Sequence, residues 1–178
     1  MSSLQTNTTN IQVIIDDLSK VPNIEGDVAG SIIDRSIAGS LTMKDVTYIG
    51  TQAFQGCANL TSVDFPAATL IDNQVFFNCT GLTSVDLPAA ITVGNKVFEK
   101  CSNLTALILR NTELVTAYSS VLDDTPVDSG TGYIYVPKAL IEDYKVATNW
   151  STYASQFRAI EDYTVDGTIT GALDESKI

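Results

Sequence analysis

The sequence has no histidine among its 178 residues. Histidine is the commonest general base and metal-ligating side chain near neutral pH, so its absence excludes many familiar hydrolase and metal-site designs. Basic residues are also few, because 10 lysines and arginines stand against 21 aspartates and glutamates, a formal net charge of −11. They form no cluster, and an acidic chain is repelled by phosphate backbones and anionic lipid. Nucleic-acid binding is therefore not expected.

Long apolar runs are missing as well. No stretch approaches the roughly 18 apolar residues that a membrane-spanning helix requires. Residues 1–20 also lack the basic segment, apolar core and small-residue cleavage site of a secretory signal. We therefore expect no membrane insertion and no export by a visible leader.

Cysteine is scarce, and its three copies stand at one spacing of 22 residues, at Cys57, Cys79 and Cys101. An odd number cannot form a complete disulfide set. A structural zinc site needs four ligands, with thiols paired at short spacing. We therefore expect reduced, buried cysteines that act as small apolar side chains, as in a protein folded in a cytoplasm. No metal or other cofactor is expected.

The cysteines belong to a larger repeat. Three segments starting at Phe54, Phe76 and Phe98 read FQGCANLTSVDFP, FFNCTGLTSVDLP and FEKCSNLTALILR, and the first two share eight of thirteen positions. A period in the twenties with the skeleton L-x-x-L-x-L is typical of leucine-rich solenoids. One repeat cannot bury its apolar side alone, but stacked repeats can. We expect the three phenylalanines to stack in the core.

Each repeat predicts one short strand, because apolar and polar residues alternate along it. Val63 and Phe65 should point inward, while Ser62 and Asp64 point outward. Three such strands should lie side by side in parallel, at residues 60–65, 82–87 and 104–109.

The pattern I-G-x-x-A-F-x-x-C-x-x-L-x-x-V-x-x-P at 49–66 resembles the BspA-like leucine-rich repeats of bacterial surface proteins. The copy at 71–88 departs from it at Asp72 and Val75. The segment beginning GTGYIYVPK is similar to the end cap of such arrays, and the resemblance spans about residues 32–163. It implies a role in adhesion or protein binding. Similar short arrays occur in proteins encoded by bacteriophages and prophages.

The chain therefore divides into four predicted parts. The fold class is α/β and strand-dominated: a short right-handed leucine-rich-repeat solenoid with an N-terminal helix and an α/β C-terminal cap. The parts are an N-terminal helix or oligomerisation segment at 1–22, the solenoid at 31–118 with a degenerate first repeat, the cap at 119–163, and a polar tail at 164–178.

The N-terminal segment carries an apolar stripe with heptad spacing. Its members are Leu4, Ile11, Ile14, Leu18 and Val21. This pattern is typical of an oligomerising helix, and it equally suits a helix packed on its own repeats. We expect a homo-oligomer.

The C-terminal part predicts a strand at YIYV and a helix from Pro137 to Ala147, since proline is well tolerated at the first helical position. Aromatic residues concentrate here, and we expect most of them in the core of the cap rather than at a ligand. They are Tyr118, Tyr133, Tyr135, Tyr144, Trp150 and Tyr153.

The outward residues of the predicted strands form the candidate binding face: Ser62, Asp64, Ser84, Asp86, Ala106 and Ile108. Asp64 and Asp86 should lie about 5 Å apart on neighbouring strands. Like charges so placed cost stability, so a cation or an amine could balance them. A glycosidase pair is disfavoured, because the repeat copies these carboxylates and implies no pocket. Calcium binding and a plain solvated face remain as alternatives.

The sequence favours a non-catalytic phage or prophage virion component used in assembly or host attachment, made in the bacterial cytoplasm and released by lysis. The alternative is a bacterial surface adhesin or protein–protein interaction module. The expected partners are other virion or cell-surface proteins, with glycans as a further class.

Overall fold

A computed structural model describes Arg35, residues 37–162 and the backbone of two short strands at Thr164–Val165 and Thr168–Ile169. The predicted N-terminal helix at 1–22 lies outside the described residues. So do the five members of its apolar stripe, Leu4, Ile11, Ile14, Leu18 and Val21.

Two parallel sheets organise the described part of the chain. The longer sheet has six strands, which are in spatial order β1 (Gly39–Thr42), β3 (Leu60–Asp64), β5 (Ser84–Asp86), β7 (Ala106–Ile108), β9 (Tyr133–Val136) and β10 (Phe157–Ala159). The shorter sheet has four strands, in spatial order β2 (Tyr48–Ile49), β4 (Leu70–Ile71), β6 (Thr92–Val93) and β8 (Thr116–Ala117).

The register of these sheets stacks each residue on its own copy. Val63 pairs with Val85 and Val85 with Leu107, at the 22-residue spacing of the sequence. The prediction of adjacent parallel strands in one sheet is therefore confirmed. The strands at 82–87 and 104–109 are shorter than predicted. In all three repeats the N–H of the leucine donates to the carbonyl of the cysteine three residues before it: Leu60 to Cys57, Leu82 to Cys79 and Leu104 to Cys101. The handedness of the stack stays a prediction.

Aromatic rings stack through the core between the two sheets. The ring centres of Phe54 and Phe76 lie 5.5 Å apart with planes inclined by 8°, and those of Phe76 and Phe98 lie 5.6 Å apart at 1°. Phe65 joins the column, 5.8 Å from Phe54 and 6.0 Å from Phe76. The predicted phenylalanine stack is confirmed.

The turns between the sheets are also hydrogen-bonded from one repeat to the next. The N–H groups of Phe54, Phe76 and Phe98 donate to carbonyls one repeat further along the chain, at 2.9 to 3.0 Å. Lys96 and Lys100 in these turns have φ of 58° and 65°, a left-handed backbone that favours glycine. The stacked hydrogen bonds hold this conformation in lysines, against their local preference.

The strand ladder continues past residue 118, the predicted end of the repeats. In β9, the N–H of Tyr133 donates to Thr105 and the N–H of Leu109 donates to Tyr135. The YIYV strand of the predicted cap therefore extends the six-stranded sheet. The exact boundary between repeats and cap stays a prediction.

Short helices follow β9. The predicted helix from Pro137 to Ala147 is a 3₁₀ turn at Lys138–Leu140 followed by helix α1 at Ile141–Val146. Further 3₁₀ turns lie at Ser151–Gln156 and Ile160–Asp162. In the predicted polar tail, β11 (Thr164–Val165) and β12 (Thr168–Ile169) pair antiparallel.

Side chains of the cap close the open edge of the four-stranded sheet at β8. Trp150 Nε1 donates to the carbonyl of Val115 at 2.7 Å, and the N–H of Val115 donates to Tyr144 Oη at 3.0 Å. Asn149 Nδ2 donates to the carbonyl of Ala117 at 2.8 Å. These hydrogen bonds use backbone groups of β8 with which a further strand would otherwise pair, and they therefore protect the sheet edge against aggregation.

Candidate functional site

The outer face of the six-stranded sheet, the side opposite the phenylalanine core, carries the candidate binding residues. Because strand side chains alternate, every second residue points to this face. The register joins these residues into two rows that run across the strands. The first row is Thr42, Asp64, Asp86, Ile108, Tyr135 and Arg158, and the second is Ser40, Ser62, Ser84, Ala106 and Tyr133.

Four of the six predicted face residues are accessible. Asp64 is exposed, while Ser62, Ser84 and Asp86 are partly exposed. The hydroxyls of Ser40 and Ser62 hydrogen-bond across neighbouring strands. The part of the face that carries serine hydroxyls and aspartate carboxylates is therefore in contact with solvent.

The other two predicted residues, Ala106 and Ile108, are buried, and this corrects their assignment to an exposed face. The two residues are only 6% and 3% accessible. Their partners on β9 are the much larger Tyr133 and Tyr135. A small or branched side chain beside two tyrosines loses its contact with water, which the sequence spacing of 22 could not reveal.

An arginine binds one of the two neighbouring carboxylates, Asp86. Arg110 Nε lies 3.1 and 2.9 Å from the two carboxylate oxygens of Asp86, and Nη2 lies 2.7 Å from Oδ2. This two-pronged geometry is the stronger form of an arginine–carboxylate pair. The repeated carboxylates predicted a cation or an amine here, but the repeat pattern did not point to Arg110, since the third repeat has this arginine where the first two have proline.

Asp64 sits beside Asp86 in the ladder, as predicted. Within residues 37–162 no ion pair engages it, and no group of three or more potential metal-ligating residues occurs there. Asp64 therefore presents its oxygens to solvent as hydrogen-bond acceptors.

Aromatic side chains occupy the far end of the same face. The rings of Tyr133 and Tyr135 meet edge to face, 6.3 Å apart, and Arg158 Cζ lies 4.3 Å from the centre of the Tyr133 ring. Arg158 Nη1 donates to the carbonyls of Ser155 and Phe157 at 2.9 and 2.7 Å. Two aromatic rings are therefore positioned by packing and by a cation–π contact. The alternation in YIYV was the sequence signal for their outward direction.

Three of the remaining aromatics belong to the core of the cap. Trp150, Tyr144 and Tyr153 are buried, whereas Tyr118 is exposed. Burial raises the pKa of the Tyr144 and Tyr153 hydroxyls. The two hydroxyl oxygens accept hydrogen bonds from the backbone N–H groups of Val115 and Leu122, respectively. The expectation that aromatics serve the core holds for these three, but not for the tyrosines of β9, which are only partly buried.

The cysteines form a buried column without disulfides, as predicted. The thiols of Cys79 and Cys101 donate to the carbonyls of Phe54 and Phe76 at 3.0 and 3.1 Å. Burial raises the pKa of Cys79, with neighbouring cysteines adding to the effect, and raises the pKa of Cys101 to about 12. The reactive thiolate is therefore strongly disfavoured, and these residues have a packing role.

A groove of about 250 Å³ lies between β8 and the cap. It is lined by Leu114, Val115, Thr116, Ala117, Ala147, Thr148 and Trp150. None of these side chains is an acid or a base near neutral pH, so the groove offers no acid–base or nucleophilic chemistry.

Comparison with known proteins agrees with this architecture. The family model for the BspA type leucine-rich repeat region, which describes six copies, matches residues 37–131, more than half of the chain. A search of curated proteins found no match. In the part of the chain that the structure describes, no helix has the length and apolar character needed to cross a membrane.

Proposed function

Because this chain belongs to the BspA-type leucine-rich repeat family, we propose that it is a phage or prophage virion component used in assembly or host attachment. The family indicates a protein-interaction or adhesin-like module, and leucine-rich repeat proteins are generally non-catalytic. In this proposal the stacked repeats form a short right-handed solenoid, and its outer face meets the partner.

The outer face of the six-stranded sheet carries this proposal. Stacked copies of each residue pack beneath it, so the face is a rigid platform whose side chains lose little freedom when a partner binds. Its two rows combine hydroxyls, carboxylates, one arginine and two tyrosines. A partner at the surface of a cell or particle would contact several strands at once.

The platform is small, which favours presentation in several copies. Linking weak contacts raises the overall affinity by two to four orders of magnitude, about 10²–10⁴-fold, without any new contact. A virion supplies such copies, and the heptad stripe at 1–22 is a sequence element suited to joining them. We accordingly propose a homo-oligomer located in the virion.

The test is the oligomeric state of purified full-length protein, measured by light scattering. We expect a multimer at tens of micromolar, and a folded monomer when residues 1–22 are deleted. In the full chain, Ile14→Asp should also yield monomer, because it places a charge in the apolar stripe. Thr9→Asp, outside the stripe, is the matched control and should leave the multimer intact.

Multimers should bind bacterial cells, and the deleted monomer should bind far less. A full-length protein that stays monomeric and binds no cells across a panel of Gram-positive and Gram-negative bacteria would refute oligomer and attachment together. The bacterial surface adhesin, the second candidate, is separated by fractionation of the producing strain. A virion component sediments with phage particles, whereas an adhesin sediments with the cell envelope.

A further inference from the structure

Exposed apolar side chains are concentrated on the four-stranded sheet. In the part of the chain that the structure describes, five large apolar residues are exposed, and four of them lie in or beside strands of this sheet. These four residues form the apolar patch: Leu70 in β4, Ile91 beside β6, and Leu114 and Tyr118 on either side of β8. The fifth residue, Val146, ends helix α1.

The register of the sheet makes the patch continuous. Leu70 and Thr116 align with the same residue of β6, and the exposed Ile91 immediately precedes that residue. Leu114 and Tyr118 lie two residues before and after Thr116, so the alternation of side chains places all three on one side. The patch therefore extends across three neighbouring strands, β4, β6 and β8.

The groove between β8 and the cap continues this surface. Leu114 and Thr116 line it from the sheet, and Ala147 lines it at the end of α1, next to the exposed Val146. The residues that line the groove carry no charge, although the chain has a net charge of −11. Apolar patches on a protein surface mark interaction sites. The occupant is therefore expected to present an apolar face without charges.

The N-terminal stripe of this chain has the required character and length. Its five apolar residues, from Leu4 to Val21, would share one face of a helix about 26 Å long, at about 1.5 Å per residue. The four strands of the sheet span about 14 Å, at about 4.8 Å per strand, and the groove continues beyond β8. Each of these strands has only two residues, so the long direction of the surface runs across the strands. A helix of this length would cover both the sheet and the groove.

The stripe is poorly suited to pairing only with other stripes. It comprises about three heptads, the lower limit for a coiled coil. Residues 6–10 read TNTTN, and threonine and asparagine have low helix propensity. A helix with little intrinsic stability depends on packing its apolar face against another surface. The apolar patch and the groove provide such a surface.

The linker allows the stripe to reach a neighbouring copy. Pro22 ends the stripe segment, because proline cannot continue a helix. Residues 23–34 then lead to Arg35, and fully extended they span about 40 Å, at about 3.4 Å per residue. When two copies exchange these segments, two contacts form in one dimer. The second contact forms within an already joined pair, which strengthens the dimer without any further surface.

We propose that residues 1–22 of one copy bind across the four-stranded sheet of a neighbouring copy, with Leu70, Ile91 and Leu114 as their principal contacts. The inference rests on the proposed function, because it names the surface that receives the proposed oligomerisation segment. Since the proposed multimer depends on that segment, the receiving patch belongs to a neighbouring copy and not to the same chain. The outer face of the six-stranded sheet stays open to the external partner in this arrangement.

The first test places a charge in the patch of the full-length protein. Ile91→Asp and Leu114→Asp should each shift the multimer to monomer in light scattering, although the stripe is unchanged. We expect the dissociation constant of the multimer to rise at least about tenfold. The two residues are 59% and 42% exposed, so the core stays intact. Thr61→Asp adds the same charge at an exposed position of β3, in the other sheet, and should leave the multimer intact.

Disulfide cross-linking identifies the occupant directly. The three native cysteines are buried, so introduced thiols are the ones that react with an oxidant such as diamide. Ile14→Cys protein that has exchanged subunits with Ile91→Cys protein should give a cross-linked dimer on a non-reducing gel. The same mixture with Thr61→Cys in place of Ile91→Cys should give none.

The inference is overturned if the two aspartate variants in the patch leave the multimer intact while deletion of residues 1–22 abolishes it. Ile14→Cys protein that cross-links with itself shows stripes paired with stripes, which also overturns it. So does a double variant, Ile14→Cys with Ile91→Cys, that cross-links only within one chain. If circular dichroism shows that an aspartate variant does not fold, the cross-linking decides.

The failure of this inference is distinguishable from that of the proposed function. A multimer that needs residues 1–22 but not the patch refutes only the receiving surface. A wild type that stays monomeric at tens of micromolar refutes the proposed oligomer and the receiving surface together.

Discussion

Replacing Phe76 with leucine should destabilise the protein more than the same change at Phe98. Both side chains are fully buried, so the loss of apolar surface is nearly equal at the two sites. Their ring contacts differ. Phe76 stacks with Phe54, Phe65 and Phe98, whereas Phe98 stacks with Phe76 among the described residues.

The size of the difference follows from the ring pairs. An aromatic pair contributes about 0.5–1.5 kcal/mol beyond the area it buries. Leucine at position 76 removes three pairs and leucine at position 98 removes one. Phe76→Leu should therefore cost about 1–3 kcal/mol more than Phe98→Leu. A domain is stable by about 5–15 kcal/mol, so both variants should still fold.

Urea unfolding measures this difference. Two probes should be followed together: fluorescence of Trp150 in the cap and far-ultraviolet circular dichroism of the repeats. Coincident transitions would show that one cooperative unit unfolds, and the two free energies of unfolding could then be compared. Equal costs for Phe76→Leu and Phe98→Leu would refute the ring-stacking argument and leave apolar burial as the whole effect.

The remaining predictions concern the cysteine column and the arginine. Native protein should expose almost no thiol to a labelling reagent, and three after denaturation, and rapid labelling of native protein would contradict burial. Cys79→Ser should cost about 1 kcal/mol, the low end of the range for a buried hydroxyl, because the carbonyl of Phe54 that accepts from the thiol can also accept from the hydroxyl. Burial raises the pKa of Cys101 from 9.0 to about 12. The contribution of the neutral thiol to the free energy of unfolding should therefore be complete below pH 9.0 and decline as the pH rises towards 12. Urea titrations at a series of pH values across this range measure the decline. Arg110→Ala should cost no more than about 1 kcal/mol, because Arg110 and Asp86 are each about one-third exposed, and a larger loss by the same assay would show that the pair is structural.

Sequence spacing was sufficient to predict the interior of this protein. Copies 22 residues apart, such as Val63 and Val85, can share one environment only if the repeats stack in register. The same argument placed the phenylalanines, the cysteines and the adjacent Asp64 and Asp86. It also predicted that serines and aspartates of these strands face away from the core, because strand side chains alternate.

Repeat spacing could not predict features that depend on contacts between residues that are not copies of one another. The burial of Ile108 is caused by Tyr135, 27 residues further along the chain, and not by any copy of the repeat. The arginine on Asp86 comes from a position where earlier repeats have proline. The continuation of the sheet into β9 follows a loop that breaks the period.

The sequence alone therefore determined which residues stack, because covalent repetition places identical side chains at identical intervals and burying them together is the favourable arrangement. Only the tertiary structure decided which outward residues reach solvent and how their charges are balanced. That outcome depends on the sizes and reach of side chains from different strands, such as Tyr133 beside Ala106 and Arg110 beside Asp86. Lysine disfavours a left-handed backbone, yet Lys96 adopts one, because hydrogen bonds to the next repeat hold it there.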